Sequence, residues 1–333
     1  MLLQKMIKLE KNMKKYPLKL NYTPKTALWG GTRLKTEFAK TADLDIVSET
    51  WELTVRKDEM SKIMGGDADG MTLAQYFDIC GYDCVCPSFK KGDRFPLLVK
   101  FIDAMDSLSV QVHPDDDYAG RVENDSGKTE MWYIVDAAEG AQLIYGLKDG
   151  VTSEDFARAA AEGRYRDVMA SVPVHAGENY FIPAGMLHAI GAGILIAEIQ
   201  QNSDLTYRVY DFDRVGKDGK PRELHVEKAV AVTRPYSNEE IETIRFARGK
   251  EIGEGELMAN SAYFKAVRHV IDGEVTITAD KDSFVSLLCT AGQGSIVFDG
   301  QEYTVRMGDS YFIPAGMGQF TLKGTLTALA STI

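Results

Sequence analysis

The chain has 333 residues, enough for two compact domains that each bury a core. Apolar residues at 44% and charged residues at 26% exclude the disordered class. An excess of 49 acidic over 38 basic residues, net −11, argues against nucleic acid and anionic membrane surfaces as partners.

Taken in order, residues 1–20 are broken by charge every few positions, and no apolar stretch precedes a small-residue cleavage site. They read as an amphipathic or frayed leader with no function. No apolar run reaches the ~18–20 residues of a membrane-spanning helix, so cytoplasmic residence is expected. A short helix is predicted over residues 72–80. Cys80, Cys84 and Cys86 form a C-x3-C-x-C cluster that matches neither a zinc ribbon nor a thioredoxin-like pair. With Cys289 they are expected to be free thiols.

The run SLSVQVHPDDD follows, and strand alternation turns Ser109, Gln111 and His113 to one face. Glu130 stands in GKTEMWYIV as a candidate acid. Residues 141–145 read as strand, and residues 153–162 (SEDFARAAAE) as a helix with an acidic first turn, an insertion expected to cover one barrel mouth. The charged stretch 237–255 reads as a connector. Another strand is predicted at residues 295–298.

Residues 177–186 (GENYFIPAGM) and 308–317 (GDSYFIPAGM) agree at eight of ten positions, which indicates duplication at a whole-domain spacing. Each proline, followed two residues later by glycine, marks a sharp corner between strands. The first copy continues to His188 and the second to Gln319, so only the first keeps a metal-type ligand. Gly177, Pro183, Gly185 and His188 complete the G-x5-P-x-G-x2-H pattern of the second cupin motif. The expected fold is therefore mainly β, two cupin or jelly-roll barrels with short helical insertions. Residues 21–240 form the catalytic domain and residues 241–333 a cupin-like barrel without metal ligands.

Gln111, His113, Glu130 and His188 together offer two imidazoles, a carboxylate and a carbonyl oxygen. Such a set suits one Zn²⁺ per chain, with Mn²⁺, Fe²⁺ or Co²⁺ as substitutes. His175, His225 and His269 lack such context and read as structural or surface residues.

Three blocks in order, FPLLVKFIDAMDSLSVQVHPDD, GKTEMWYI and FIPAGMLHAIGAGILIAEIQQNSDLTYRVYDFDR, resemble the signature blocks of the type I mannose-6-phosphate isomerase family, in its compact bacterial branch. The resemblance runs from about Tyr22 to the C-terminus and leaves the leader outside. It implies conversion of mannose 6-phosphate and fructose 6-phosphate through an enediol, with a small phosphosugar as the partner. By it, Gln111, His113, Glu130 and His188 match the family's zinc ligands, and Arg208 its catalytic arginine. Lys128 and Asp204 match further groups near the chemistry, with the base left open between them and a metal-bound water. Lys100, Ser109, Trp29 and Glu49 match substrate-pocket residues. Two other readings use the same residues: a non-haem iron dioxygenase of the cupin class, and a non-enzymatic sugar-binding protein of two barrels. Oligomeric state is not legible.

Overall fold

The computed structural model describes residues 14–57, 59–216, 219–250 and 254–333. Strands dominate. The first half is a sandwich of two antiparallel sheets. One has six strands in the order Asn179–Ile182, Glu130–Ala137, Ile194–Gln201, Leu97–Ala104, Glu49–Leu53, Thr23–Lys25. The other has five, ordered Met169–Pro173, Gln142–Leu147, His188–Ile190, Val110–Val112, Tyr207–Tyr210. The second half contributes six strands to an eight-stranded sheet built on three long ones, Lys265–Ala279, Val285–Phe298 and Gly318–Thr332, and the first half adds Leu18–Leu20 and Ile63–Met64 at its edge. The expected cupin or jelly-roll architecture is thus realised as packed antiparallel sheets.

The five-stranded sheet shows how alternation separates chemistry from packing. Gln111, His188 and Arg208 are neighbours in register across three strands. Their immediate neighbours Val110, Val112, Leu187, Ala189, Tyr207 and Val209 are buried on the opposite face, under Phe156, Ala159 and Ala160. Those last three belong to the helix Ser153–Ala161. This corrects the expectation for that helix: it covers the back of a sheet, because its apolar stripe needs an apolar face, and a barrel mouth offers none. Its N-cap is Thr152, one residue earlier than SEDFARAAAE suggested, with a capping box to Asp155.

The helix predicted at residues 72–80 is found as Leu73–Cys80, capped by Thr72 and Gln75. The stretch taken for a connector holds a helix, Asn238–Arg245, started by a Ser237 and Glu240 capping box. The leader also needs correction at its end. Leu18–Leu20 is a strand paired with residues Ser310 to Phe312 of the second repeat. Residues 1–13 lie outside the described residues. All four cysteines are free thiols.

The six-stranded sheet has two occupied faces. Its back carries Phe101, Met131, Tyr133, Ala197 and Ile199, which share one core with Phe264, Phe284 and Phe312 of the second half. Phe284 and Phe312 stack at 5.0 Å between centroids; each buried ring contributes ~1.5–3 kcal/mol of transfer free energy. Among the described residues no helix is long and apolar enough to cross a membrane.

Candidate metal centre and active site

The front of that sheet faces the five-stranded sheet across a cavity of about 960 Å³. On one wall Trp51, Lys100, Glu198 and Trp132 lie in register across four strands. On the other stand Gln111 and Arg208, and all six side chains line the cavity. Trp29, Glu49, Ser109, Lys128 and Asp204 line it as well.

Next to the lining residues Gln111 and Lys128 sit His113, Glu130 and His188, with 1%, 0% and 0% of their surfaces exposed. Their donor atoms all lie within 4.8 Å of one another. His188 Nε2 is 3.3 Å from Glu130 Oε1, and His113 Nε2 is 3.5 Å from Glu130 Oε2. Ligands held at ~2.0–2.1 Å on a tetrahedral ion sit roughly 3.4 Å apart, so the spacing fits. His113 Nε2 and Glu130 Oε1 are buried with no hydrogen-bond partner, an arrangement that costs stability unless a cation satisfies them.

The other ring nitrogens are already fixed. His113 Nδ1 is 2.7 Å from the Leu205 carbonyl, and His188 Nδ1 is 2.8 Å from the Met186 carbonyl. A backbone acceptor holds the proton on Nδ1 and leaves the Nε2 lone pair free for a metal. Burial, then Lys128 and His188, holds the His113 imidazole well below its ordinary pKa. Burial lowers His188 as well. Burial opposes ionisation of Glu130, but Lys128 and His188 outweigh it and keep that pKa low. Two neutral imidazoles and one carboxylate are the ligand forms a divalent cation requires. The Gln111 amide is 3.4 Å from His188 Nε2, and turning it over presents its oxygen in the same place.

Arg208 is positioned by neutral groups. Its Nε donates to Ser109 Oγ at 3.2 Å and its Nη1 to the Glu223 carbonyl at 2.9 Å, while its amide donates to His225 Nδ1 at 3.2 Å. The nearby carboxylate that could neutralise it, Asp211, is held by Arg214 and Arg222, at 2.6 Å and 2.5 Å. Burial, followed by repulsion from Arg222, lowers the Arg208 pKa. Arg208 thus has no ion-pair partner among the described residues, and an anionic oxygen placed against it would relieve that cost.

Lys100 lies 3.3 Å from Glu198 and 3.7 Å from Glu49. Burial disfavours its charge, yet Glu198 and Glu49 raise its pKa on balance. Lys128 Nζ is 2.9 Å from Glu130 Oε2. Sequence reasoning missed Glu198, whose Oε1 accepts from Trp132 Nε1 at 3.0 Å. The available signal was a lone carboxylate inside the apolar run ILIAEI. Lys25, Arg56, Lys57, Arg94 and Arg222 also line the cavity and make it basic within an acidic protein.

Residues 18–154 match the family model for the catalytic domain of type I phosphomannose isomerase, and residues 254–333 that for the mannose-6-phosphate isomerase cupin domain. The match begins at residue 18, so the end of the leader lies inside it, as the strand pairing shows. The chain is 37% identical to a probable mannose-6-phosphate isomerase of Bacillus subtilis over 95% of this chain and 99% of that protein. It is 34% identical to the mannose-6-phosphate isomerase of Streptococcus mutans, over 95% and 98%. The crystal structure of the mannose 6-phosphate isomerase from Bacillus subtilis superposes with a TM-score of 0.84 at 33% identity, covering 95% and 99%. Ligand geometry, an unneutralised arginine and likeness over nearly the full length agree: the chain belongs to the type I mannose-6-phosphate isomerase family.

Proposed function

We propose that the protein interconverts mannose 6-phosphate and fructose 6-phosphate by moving a proton between C1 and C2 through an enediol. The observation that carries this reading is the buried His113, Glu130 and His188 cluster, with donor atoms left unsatisfied, in contact with the wall of a basic cavity whose Arg208 has no ion-pair partner among the described residues. Gln111 completes the ligand set, and Zn²⁺ is the ion proposed, with Mn²⁺, Fe²⁺ or Co²⁺ as substitutes. When bound, the ion supplies Lewis-acid polarisation of the carbonyl and neighbouring oxygen without redox change.

The chain's own groups supply the rest. Arg208 offers a planar fork to the oxygens on C1 and C2 as negative charge develops there, and its bonds to Ser109 and the Glu223 carbonyl hold that fork in place. Lys128, paired with Glu130, donates to a developing oxyanion. Of the candidate bases, Asp204, a carboxylate on the cavity wall, is the proton acceptor we propose. Lys100 and Glu49, with the walls Trp29 and Ser109, shape and charge the space for the sugar phosphate. The chemistry resides in residues 21–240. The iron dioxygenase reading is not favoured, since relatives at 34% and 37% identity are named as isomerases. The test is a coupled isomerase assay with and without a chelator, in which activity should vanish on chelation and return with Zn²⁺. Turnover that ignores the chelator would remove the metal from the mechanism.

A further inference from the structure

The second half carries no part of the cavity lining, yet it grips the sheet that does, at two related points. In the second repeat, the carbonyl of Gly308 accepts from Lys40 Nζ at 2.6 Å. In the first, the carbonyl of the equivalent Gly177 accepts from Arg268 Nη1 at 2.7 Å. Each cation crosses from the opposite half. Each is also paired with a carboxylate of its own half, Lys40 with Glu52 at 2.7 Å and Arg268 with Glu256. Each lies over a tyrosine ring, Lys40 over Tyr22 at 4.3 Å and Arg268 over Tyr133 at 5.5 Å. The glycine at position 308 is required: its φ is +90°, and a Cβ there would stand 3.0 Å from the Phe38 carbonyl and 3.3 Å from Lys40 Cε.

The partners of both cations sit directly behind the site. Tyr133 follows Trp132 and by strand alternation lies behind the cavity wall, while Glu52, at the bulge between Trp51 and Leu53, is paired with Lys40, whose Nζ stands 5.7 Å from the centroid of Phe101 on the back of the same sheet. The Glu52 strand carries Glu49, and the Tyr133 strand carries the ligand Glu130. Lys40 and Glu52 are 4% and 1% exposed, so water does not substitute for either.

We infer that Lys40 and Arg268 are positioning residues, a reciprocal pair of cation-to-glycine-carbonyl clamps through which the metal-free half fixes the wall of the active site. This rests on the isomerase reading only for its kinetic readout; the release of metal reports on it separately.

The test uses the zinc-loaded full chain. Lys40→Met combined with Glu52→Gln removes one clamp without stranding a buried charge. Arg268→Met removes the other at a partly exposed site, and decides the matter alone if the double variant does not fold. With melting still above the assay temperature, kcat should fall about 10-fold while KM changes less, because misplacement of a supporting wall acts on reacting geometry. Zinc release to a chelator should accelerate about 10-fold, as loss of support around a ligand does elsewhere. Arg268→Lys should restore most of both. A lowered melting temperature with wild-type kcat and wild-type zinc release would overturn the inference and leave the clamps as stability elements only. Should the wild-type protein lack isomerase turnover, the functional reading fails, and zinc release still decides whether the clamps act on the site.

Discussion

The two repeats share a turn and differ in everything the turn presents. Met186 bonds back to the Pro183 carbonyl and Met317 to that of Pro314, both at 3.1 Å. The strand before the turn then pairs Ile182 with Glu130 in the first repeat and Ile313 with Val285 in the second. The turn amide of Gly185 bonds the His113 carbonyl, and that of Gly316 the Asp280 carbonyl. His188 pairs with Gln111, and Gln319 with Thr278. Thus Gln111, His113, Glu130 and His188 correspond to Thr278, Asp280, Val285 and Gln319. The backbone around the turn is kept twice, whereas the candidate metal ligands are kept once. A β-scaffold fixes where side chains stand and leaves their chemistry free to diverge.

The largest effect should come from making the first repeat read like the second. His188→Gln removes an imidazole whose place Gln319 already marks, and should abolish tight metal binding. Metal contributes several kcal/mol of charge stabilisation, so turnover should fall by ~10³-fold or more. Metal analysis and kcat on the purified variant check both. Next is Arg208, which has no counterpart requirement in a site without substrate. Arg208→Ala should retain metal and lose ~10²–10³-fold in kcat, with a smaller change in KM. Arg208→Lys should remain impaired, having charge without the fork. A raised KM with intact kcat would make Arg208 a phosphate clamp instead.

A smaller effect is expected from pH. The native pKa values of His113 and His188 lie below the unfolded value, so the unfolded chain binds protons first as pH falls. Stability of chelated protein should therefore be fully retained above about pH 6.5 and decline below it. Melting temperatures across that range should show a weaker decline in His188→Gln. The smallest effect is predicted for Gln319→His: one imidazole beside Thr278, Asp280 and Val285 does not make a site, so metal content should not rise. A second tightly held ion would break the comparison.

Legibility followed how local each signal was. The duplicated FIPAGM and the spacing to His188 are local, and they located the scaffold and one ligand. Arg208 was reached only through resemblance, since its strand does not announce its partner. Glu198 escaped because every residue of Ile194–Gln201 is buried, so no alternation separates the face that meets the site from the face that meets the second half. Lys40 sits in an unremarkable loop, and its acceptor Gly308 is 268 residues away. The helix Asp116–Glu123 was legible in principle, with Asp115 as its cap and Asn124 closing it in the left-handed conformation. It was overlooked because HPDDD was read only as the end of a ligand strand. The order of strands in each sheet depends on hydrogen bonds between strands far apart in the chain, which local patterns do not encode.

We propose that one repeat holds a catalytic metal and the other none. This is tested most directly by measuring bound metal per chain alongside isomerase turnover, before chelation, after it, and after adding Zn²⁺ back. The account predicts about one ion per chain, activity lost with it and regained with it. Two tightly held ions, or full turnover by metal-free protein, would contradict it.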